Sequence, residues 1–205
     1  MNTKLLNLND SNGDSEILSQ IHKKLLIEFP NENLIGAEFG IAHGGGIESI
    51  CKCWKNRGFV YAFDTFIGHP KHLSKDINSF EAVCMDGWYK EFGKDKLQKN
   101  YIETILKSEN LNNFKLIPGE VNKDSANEIE KLHYVLIDLD IVEPMKIVYE
   151  SIKNKMVKNG YICIHDVIPQ NHLKQINSWW YNEVMVLDEY IPYCEGKYLG
   201  VYKVK

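Results

Sequence analysis

The chain of 205 residues contains 44% hydrophobic and 25% charged residues, a balance that suits one globular domain with a single core. Its 24 basic and 28 acidic side chains give a formal net charge of -4, which argues against general nucleic-acid binding because that activity needs a basic surface. We therefore expect residues 1–205 to form one domain that takes no nucleic-acid partner.

Five cysteines are present and no two of them form a CxxC pair, so we expect free thiols in a reducing compartment rather than a disulfide framework. The N-terminal residues lack the apolar core of a signal peptide. No apolar run approaches the roughly 20 residues that span a bilayer. The sequence thus predicts a soluble cytoplasmic protein with no membrane partner.

Helical and strand-like patterns alternate along the chain. The first helix begins near Asp14 or Ser15, both favourable N-cap types, and Pro30 closes its apolar pattern, so residues 1–30 are interpreted as an N-terminal helical extension. The predicted strands are Leu34–Phe39, Phe59–Phe63, Phe114–Ile117, Tyr134–Leu139, Tyr161–Ile164, Val184–Leu187 and Leu199–Val204. The later predicted helices are Ile47–Trp54, Lys123–Lys131, Pro144–Val157, which Asn159-Gly160 closes, and Asn171–Tyr181. Residues 68–112 are the least regular part and are interpreted as a substrate-recognition or lid insertion.

This alternation predicts an α/β fold with a doubly wound, mostly parallel sheet and helices on both faces. Sheets of this kind bind ligands at the carboxyl ends of their strands, where the strand order reverses. The polar residues at those ends are Glu38 to Gly46, Asp64, Gly119-Glu120, Asp138 and Asp140, and His165-Asp166. We therefore expect one crevice that collects polar groups from five strands.

A glycine-rich turn from Glu38 to Gly46 follows the first predicted strand. Glycines let the chain turn sharply and let a ligand approach the backbone, and the helix that follows offers free N–H groups to an anion. The spacing is not the GxGxxG of dinucleotide-binding proteins. Asp64, at the end of the second strand, is placed to accept both hydroxyls of a ribose; an N-cap or a surface acid is the alternative. Together the turn and Asp64 indicate a nucleotide-type cofactor.

Four segments of the sequence together resemble a known family. They are Gly36–Gly46, Tyr61–Gly68, Ile137–Asp140 with Glu143, and Gly160–Asp166. They resemble class I S-adenosylmethionine (SAM)-dependent methyltransferases, in particular the macrocin-type sugar O-methyltransferases of macrolide biosynthesis and their relatives in polysaccharide clusters. The resemblance covers most of residues 34–168. It implies a Rossmann-like, seven-stranded, mostly parallel sheet with an antiparallel C-terminal strand.

The resemblance implies SAM as the cofactor. The loop from Glu38 to Gly44 would lie against its methionine moiety, and Asp64 would hold the ribose. Glu120 would lie near the adenine, with a surface acid as the equal alternative. The full set of implied cofactor-binding residues is Glu38, Gly40, Ile41, Ala42, His43, Gly44, Asp64, Thr65, Phe66, Gly119, Glu120 and Asp138.

Relatives in the family hold a divalent metal at the ends of the fourth and fifth strands, where the metal lowers the pKa of the acceptor hydroxyl and positions it. The matching metal ligands here are Asp138, His165 and Asp166, of which Asp138 and His165 would be catalytic. Relatives carry an acid where His165 stands, and imidazole suits Mg²⁺ less well than Mn²⁺, Fe²⁺ or Zn²⁺; Mg²⁺ or Mn²⁺ is the expected ion if one binds. Two other interpretations of His165 stay open, a general base and a hydrogen-bonded strand-end residue. Asp140 is interpreted as a cap of the following helix.

The implied function is O-methylation of a small-molecule acceptor, a sugar or a sugar-nucleotide, with metal assistance left open. An NAD(P)-dependent oxidoreductase is a competing function, against which the missing GxGxxG and the lack of a suitable Tyr-x-x-x-Lys pair argue. A non-catalytic binding domain of the same fold is a second, against which the intact Glu38, Gly40, Asp64 and Asp138 argue. Assembly into a homo-oligomer is left open.

Overall fold

The computed structural model describes residues 13–42, 44–66, 99–168 and 174–205. Its strands are β1 (Leu34–Phe39), β2 (Gly58–Asp64), β3 (Phe114–Pro118), β4 (Leu132–Ile137), β5 (Met156–Ile164), β6 (Tyr190–Glu195) and β7 (Gly200–Val204). Its α-helices are α1 (Asp14–Glu28), α2 (Gly45–Trp54), α3 (Lys99–Ser108), α4 (Val142–Ile152) and α5 (Lys174–Trp179). In this part of the chain no helix has the length and apolar character needed to cross a membrane.

All seven strands belong to one sheet, in the order β3-β2-β1-β4-β5-β7-β6. The first five strands pair in parallel, and β7 runs antiparallel to both β5 and β6. The strand order reverses beside β1, because β2 and β3 lie on one side of it and β4 and β5 on the other. The predicted seven-stranded Rossmann-like sheet with an antiparallel C-terminal strand is confirmed.

Helices cover both faces of the sheet, as the alternation of elements predicts. Successive residues of a strand point to opposite faces, so Tyr134 and Leu136 of β4 pack with α1, α2 and α3, whereas Val135 and Ile137 pack with α4 and α5. All six β4 side chains are buried. Two apolar layers therefore hold the central strands rigidly, which fixes where their carboxyl ends lie.

Several predicted elements between β3 and β5 are wrong. Residues 123–131 form turns rather than a helix. The helix predicted to run to Val157 ends at Ile152, and a short 3-10 turn, Lys153–Lys155, leads into β5. Asn159 and Gly160 therefore lie inside β5, where the register to β4 shifts. A Cβ on Gly160 would lie 2.9 Å from the carbonyl oxygen of His133, so glycine serves strand packing here and not a helix end.

The C-terminal region differs from the prediction in one strand. The predicted strand Val184–Leu187 is helical. A π-helical turn, Trp180–Val184, is followed by a 3-10 turn, Met185–Leu187, whose C-cap Asp188 has a φ of 56°. The strand β6 was not predicted. Its Pro192 is unfavourable in a central strand, yet β6 pairs only with β7 and so is an edge strand, where proline is tolerated.

The insertion predicted for residues 68–112 is only partly within the described residues. Residues 67–98 lie outside them, and α3 occupies Lys99–Ser108, with Ile102 and Leu106 buried against the sheet. The role of the insertion, like that of residues 1–30 as an extension, stays a prediction.

Candidate active site

The carboxyl ends of five neighbouring strands are tied together by backbone hydrogen bonds. Gly40 N donates to Phe63 O (2.9 Å), joining β1 to β2, and Gly119 N donates to Asp64 O (2.9 Å), joining β3 to β2. On the other side, Asp138 N donates to Phe39 O (2.8 Å) and His165 N donates to Ile137 O (3.0 Å). The predicted strand-end residues are thus brought to one edge of the sheet.

The turn after β1 depends on glycine because the chain passes close to β4. Gly40 has a φ of 84°, and a Cβ there would lie 1.8 Å from the carbonyl oxygen of Asp138. Gly44 is the N-cap of α2 with a φ of 81°, and its Cβ would meet Ile102 at 2.9 Å. His43, predicted to contact the cofactor, lies outside the described residues.

Glu38 is a buried acid of β1 whose side chain lies against the first turn of α2. Its side chain is 1% exposed, and a Cβ on Gly46 would lie 2.8 Å from its Oε2. Tyr134 donates its hydroxyl to Glu38 Oε1 over a long 3.5 Å. Burial raises the pKa of Glu38 to about 8, because one weak donor does not replace water and the charge of Asp138 opposes ionisation. The carboxyl group is therefore largely neutral at pH 7 until a cation approaches it.

Asp64 joins the two loops that follow β1 and β2. Its Oδ2 accepts hydrogen bonds from Ile41 N (2.9 Å) and Ala42 N (3.2 Å), and its Oδ1 accepts one from Phe66 N (2.8 Å). A carboxylate offers about four acceptor positions; the Thr65 hydroxyl, 3.5 Å from Oδ1, is a fourth donor, so Asp64 holds both loops together. The alternative of a plain surface acid does not describe this half-buried, four-donor site.

Four non-glycine residues at these strand ends have left-handed backbone conformations. They are Ala42 (φ 44°), Phe66 (φ 58°), Asp140 (φ 59°) and Asp166 (φ 59°). Such residues, above all a bulky one, are strained by roughly 1–3 kcal/mol each and gather at functional sites. Four other residues of this kind lie elsewhere in the described chain, at Lys55, Asn110, Asn159 and Asp188, so strain is one feature of this edge and does not define it.

Three residues at the ends of β4 and β5 form an acid–histidine cluster, which we define as Asp138, His165 and Asp166. His165 Nδ1 lies 3.1 Å from Asp138 Oδ1 and 3.3 Å from Asp166 Oδ1. One potential ligand atom from each residue lies within 4.8 Å of the others. Nδ1 is shielded from solvent and makes no hydrogen bond among the described residues. Three potential ligand atoms this close together could hold a metal ion.

The electrostatics of the cluster argue against His165 as a poised general base. Burial disfavours its charged form, but the neighbouring carboxylates of Asp138, Asp14 and Asp166 outweigh burial and raise its pKa well above the ordinary value. Burial in turn raises the pKa of Asp138 and of Asp166, although His165 partly offsets it. A general base works best with a pKa near the operating pH, and the three carboxylates move the pKa of His165 away from that range.

Sequence reasoning missed one acid of this site. Asp14 was interpreted as a helix cap, but Gly13 is the N-cap of α1, and Asp14 Oδ2 lies 3.6 Å from His165 Nε2. Asp140 immediately precedes Ile141, the N-cap of α4, and its charge raises the pKa of Asp138. Of the remaining predicted residues, Thr65 lies beside Asp64 and Glu120 is exposed after β3.

No protein-family model and no curated protein sequence matches the chain. Many solved structures do. The O-methyltransferase NovP is 16% identical with a TM-score of 0.68, and the match covers 93% of this chain and 79% of NovP. The calicheamicin methyltransferase CalS11 is 18% identical with a TM-score of 0.64, covering 93% and 78%. SMU.1697c of Streptococcus mutans, solved in complex with S-adenosylhomocysteine (SAH), is 12% identical with a TM-score of 0.59, covering 93% and 97%.

These likenesses agree with the strand order, the glycine turn after β1 and the acid at the end of β2. The chain therefore has the fold of the class I SAM-dependent methyltransferases, and sugar O-methyltransferases are among its structural neighbours.

Proposed function

We propose that the protein transfers a methyl group from SAM to a hydroxyl of a sugar or sugar-nucleotide, assisted by a divalent cation at the acid–histidine cluster. The observation that carries the proposal is the gathering of Glu38, Asp64 and the cluster at one strained edge of a methyltransferase sheet. A carbohydrate acceptor is supported by CalS11, which is a TDP-rhamnose 3'-O-methyltransferase.

The cofactor would lie across the ends of β1 and β2. Asp64 would accept the ribose hydroxyls while it holds its two loops. The positive ammonium of the methionine moiety would ionise the neutral Glu38, and the free N–H groups at the start of α2 would bind the methionine carboxylate. No atom of the described residues lies within 4 Å of a Cβ on Gly119, which supports placing the adenine there, beside Glu120.

Methyl transfer is an in-line displacement: the acceptor oxygen bonds to the methyl carbon, the carbon–sulfur electron pair stays on sulfur, and the acceptor proton passes to water. A cation bound at the cluster would lower the pKa of the acceptor hydroxyl and fix its position. Asp138 and Asp166 would hold the cation with negative charge, and His165 would add a neutral nitrogen ligand. Alignment at close range is the main requirement of such a displacement, and the rigid strand ends provide it.

Ligand binding tests the cofactor assignment. Calorimetric titration of the protein with SAH, NAD⁺ and NADP⁺ should show binding of SAH alone, because the turn lacks the dinucleotide pattern. Tighter binding of NAD⁺ or NADP⁺ than of SAH would instead indicate an oxidoreductase. No described feature favours that alternative.

Methyl transfer itself tests the acceptor class. Incubation with labelled SAM, Mn²⁺ or Mg²⁺, and a panel of sugar-nucleotides and free sugars should label at least one carbohydrate hydroxyl, with SAH as co-product. The labelled methyl group should be stable in mild acid. A matched panel of amine and thiol acceptors should not be labelled. Labelling confined to nitrogen or sulfur acceptors would refute O-methylation while leaving the cofactor assignment intact.

A further inference from the structure

We propose that Asp14 fixes the orientation of His165 as a metal ligand, taking the Nε2–H so that Nδ1 presents its lone pair to the point shared with Asp138 and Asp166. The site would then select a cation that accepts nitrogen, such as Mn²⁺, over Mg²⁺. The inference rests on the cation site of the proposed function and adds a residue to it that neither the resemblance nor the fold supplies.

Asp14 is anchored by a turn from the far end of the chain. Its Oδ1 accepts a hydrogen bond from Lys197 N at 2.9 Å, and a Cβ on Gly196 would lie 2.1 Å from the same oxygen. The turn between β6 and β7 thus closes on the start of α1 and leaves Oδ2 facing the imidazole of His165 at 3.6 Å. The ring of Tyr198, 5.9 Å away between centroids, lies against His165 as well.

The three carboxylates lie on two sides of one imidazole ring. Asp14 approaches Nε2, whereas Asp138 and Asp166 approach Nδ1. A neutral imidazole has one N–H; with a metal ion bound at Nδ1 that hydrogen would lie on Nε2, which faces the anchored Asp14 at 3.6 Å. The lone pair of Nδ1 then points between two carboxylate oxygens, which repel it unless a proton or a metal ion lies there. Metal-binding histidines commonly donate their second N–H to a carboxylate in this manner.

This ligand set differs in chemistry from an all-oxygen site. Mg²⁺ prefers oxygen ligands and retains water, whereas imidazole nitrogen suits Mn²⁺ and later first-row ions better. A carboxylate on Nε2 also raises the basicity of the ligating nitrogen. His165 and Asp14 therefore act together: without Asp14 the imidazole would be free to turn or to protonate Nδ1.

The experiment compares parent, Asp14→Asn and Glu16→Gln proteins by calorimetric titration with MnCl₂ and MgCl₂. Asp14→Asn keeps an oxygen for Lys197 N but removes the charge at Nε2, and we expect a loss of about 10- to 100-fold in Mn²⁺ affinity. Glu16→Gln removes the same charge from the same turn of α1 at an exposed position and should leave Mn²⁺ affinity unchanged. The parent should bind Mn²⁺ more tightly than Mg²⁺.

A spectroscopic measurement separates an orienting role from a merely structural one. Nitrogen-15 NMR of the histidine rings in the Zn²⁺-loaded parent, assigned with His165→Gln, should show His165 protonated at Nε2 and metal-bound at Nδ1. Binding through Nε2 would overturn the inference without any variant of Asp14.

The failures are distinguishable. The inference is wrong if the parent and Asp14→Asn bind Mn²⁺ with equal affinity, or if the parent binds Mg²⁺ more tightly than Mn²⁺. Neither result contradicts the proposed function. No binding of any of these cations by the parent removes the cation site from the proposed function as well. SAH binding, measured in the same samples, reports on the methyltransferase assignment independently.

Discussion

Two acids at neighbouring strand ends, Glu38 and Asp64, show how local donors decide the state of a carboxyl group. Asp64 receives three backbone N–H groups. Within the described chain Glu38 receives the long bond from Tyr134 and no other, and its side chain is 1% exposed. The same chemical group therefore acts as a loop clamp in one strand and as a neutral, cation-responsive acid in the next.

Glu38→Gln should stabilise the cofactor-free protein increasingly as the pH rises. The pKa of Glu38 moves from 4.5 to about 8 on folding, so the native state binds the proton more tightly and loses stability between these values as the pH increases. The advantage of the Gln variant over the parent should grow by roughly 1 kcal/mol per pH unit from pH 5 to 8. Urea unfolding at several pH values measures it, with the exposed Glu120→Gln as the control. A constant difference would contradict the buried neutral acid.

The sequence predicts most of the residues at the site, because strand ends are visible as apolar runs that stop at polar residues. Glu38, Asp64, Asp138 and His165 all follow this pattern, and the structure brings them to one edge. Asp14 could not be found in this way. Its contact with His165 depends on a turn between β6 and β7, and β6 itself gives a weak sequence signal.

At the scale of elements, the turn between β1 and α2 is set by how closely β1 approaches β4. A Cβ on Gly40 would overlap the Asp138 carbonyl, whereas a Cβ on Gly45 meets no atom within 4 Å. The backbone of Gly40 also has a positive φ, and that of Gly45 does not. Two glycines five residues apart in one motif therefore have different reasons to be glycine.

Gly40→Ala should destabilise the protein by at least ~3 kcal/mol, the sum of left-handed strain and a backbone clash. Gly45→Ala should change stability by less than about 1 kcal/mol, since alanine suits a helix start with open space. Thermal and urea unfolding of both variants measure the contrast. Similar stabilities for the two variants would show that the turn does not depend on the β1–β4 approach.

Elements with strong apolar periodicity are predicted within a few residues, and the failures have physical causes. The range of β1 is predicted without error because a buried run ends at a glycine turn. Residues 123–131 carry helix-forming side chains but form turns. Lys155 Nζ donates hydrogen bonds to the carbonyl oxygens of Ala126 and Ile129 in these turns. Such a long-range tertiary contact overrides local propensity and is invisible in the local pattern.

At the scale of the whole molecule, α1 is attached to the sheet through a buried histidine. The His22 side chain is inaccessible to solvent, and its ring packs edge-on against Tyr134, 4.8 Å between centroids. Trp54 Nε1 donates to the His22 carbonyl at 3.1 Å, but among the described residues the ring nitrogens have no hydrogen-bond partner. Among the described residues, no hydrogen bond to the ring offsets the cost of burying a positive charge on the His22 imidazole.

His22→Leu should protect the protein against acid. Burial lowers the pKa of His22 from 6.5 to about 3, so below pH 6.5 the unfolded state binds a proton that the native state does not, and the parent loses stability as the pH falls. The difference between variant and parent should grow by roughly 1 kcal/mol per unit from pH 6.5 to 4.5. Urea unfolding across this range measures it, and a pH-independent difference would show that His22 titrates normally. The contribution of Glu38 has the opposite sign, so each variant is compared with the parent at the same pH.

The strand order carries a consequence for how the reaction centre is completed. The last strand of the chain, β7, lies between β5 and β6, and β6 reaches the sheet only through it. Loss of residues 200–204 would thus detach two strands and release the Lys197 N–H from Asp14. The surroundings of His165 therefore cannot reach their final arrangement until β7 has been inserted between β5 and β6.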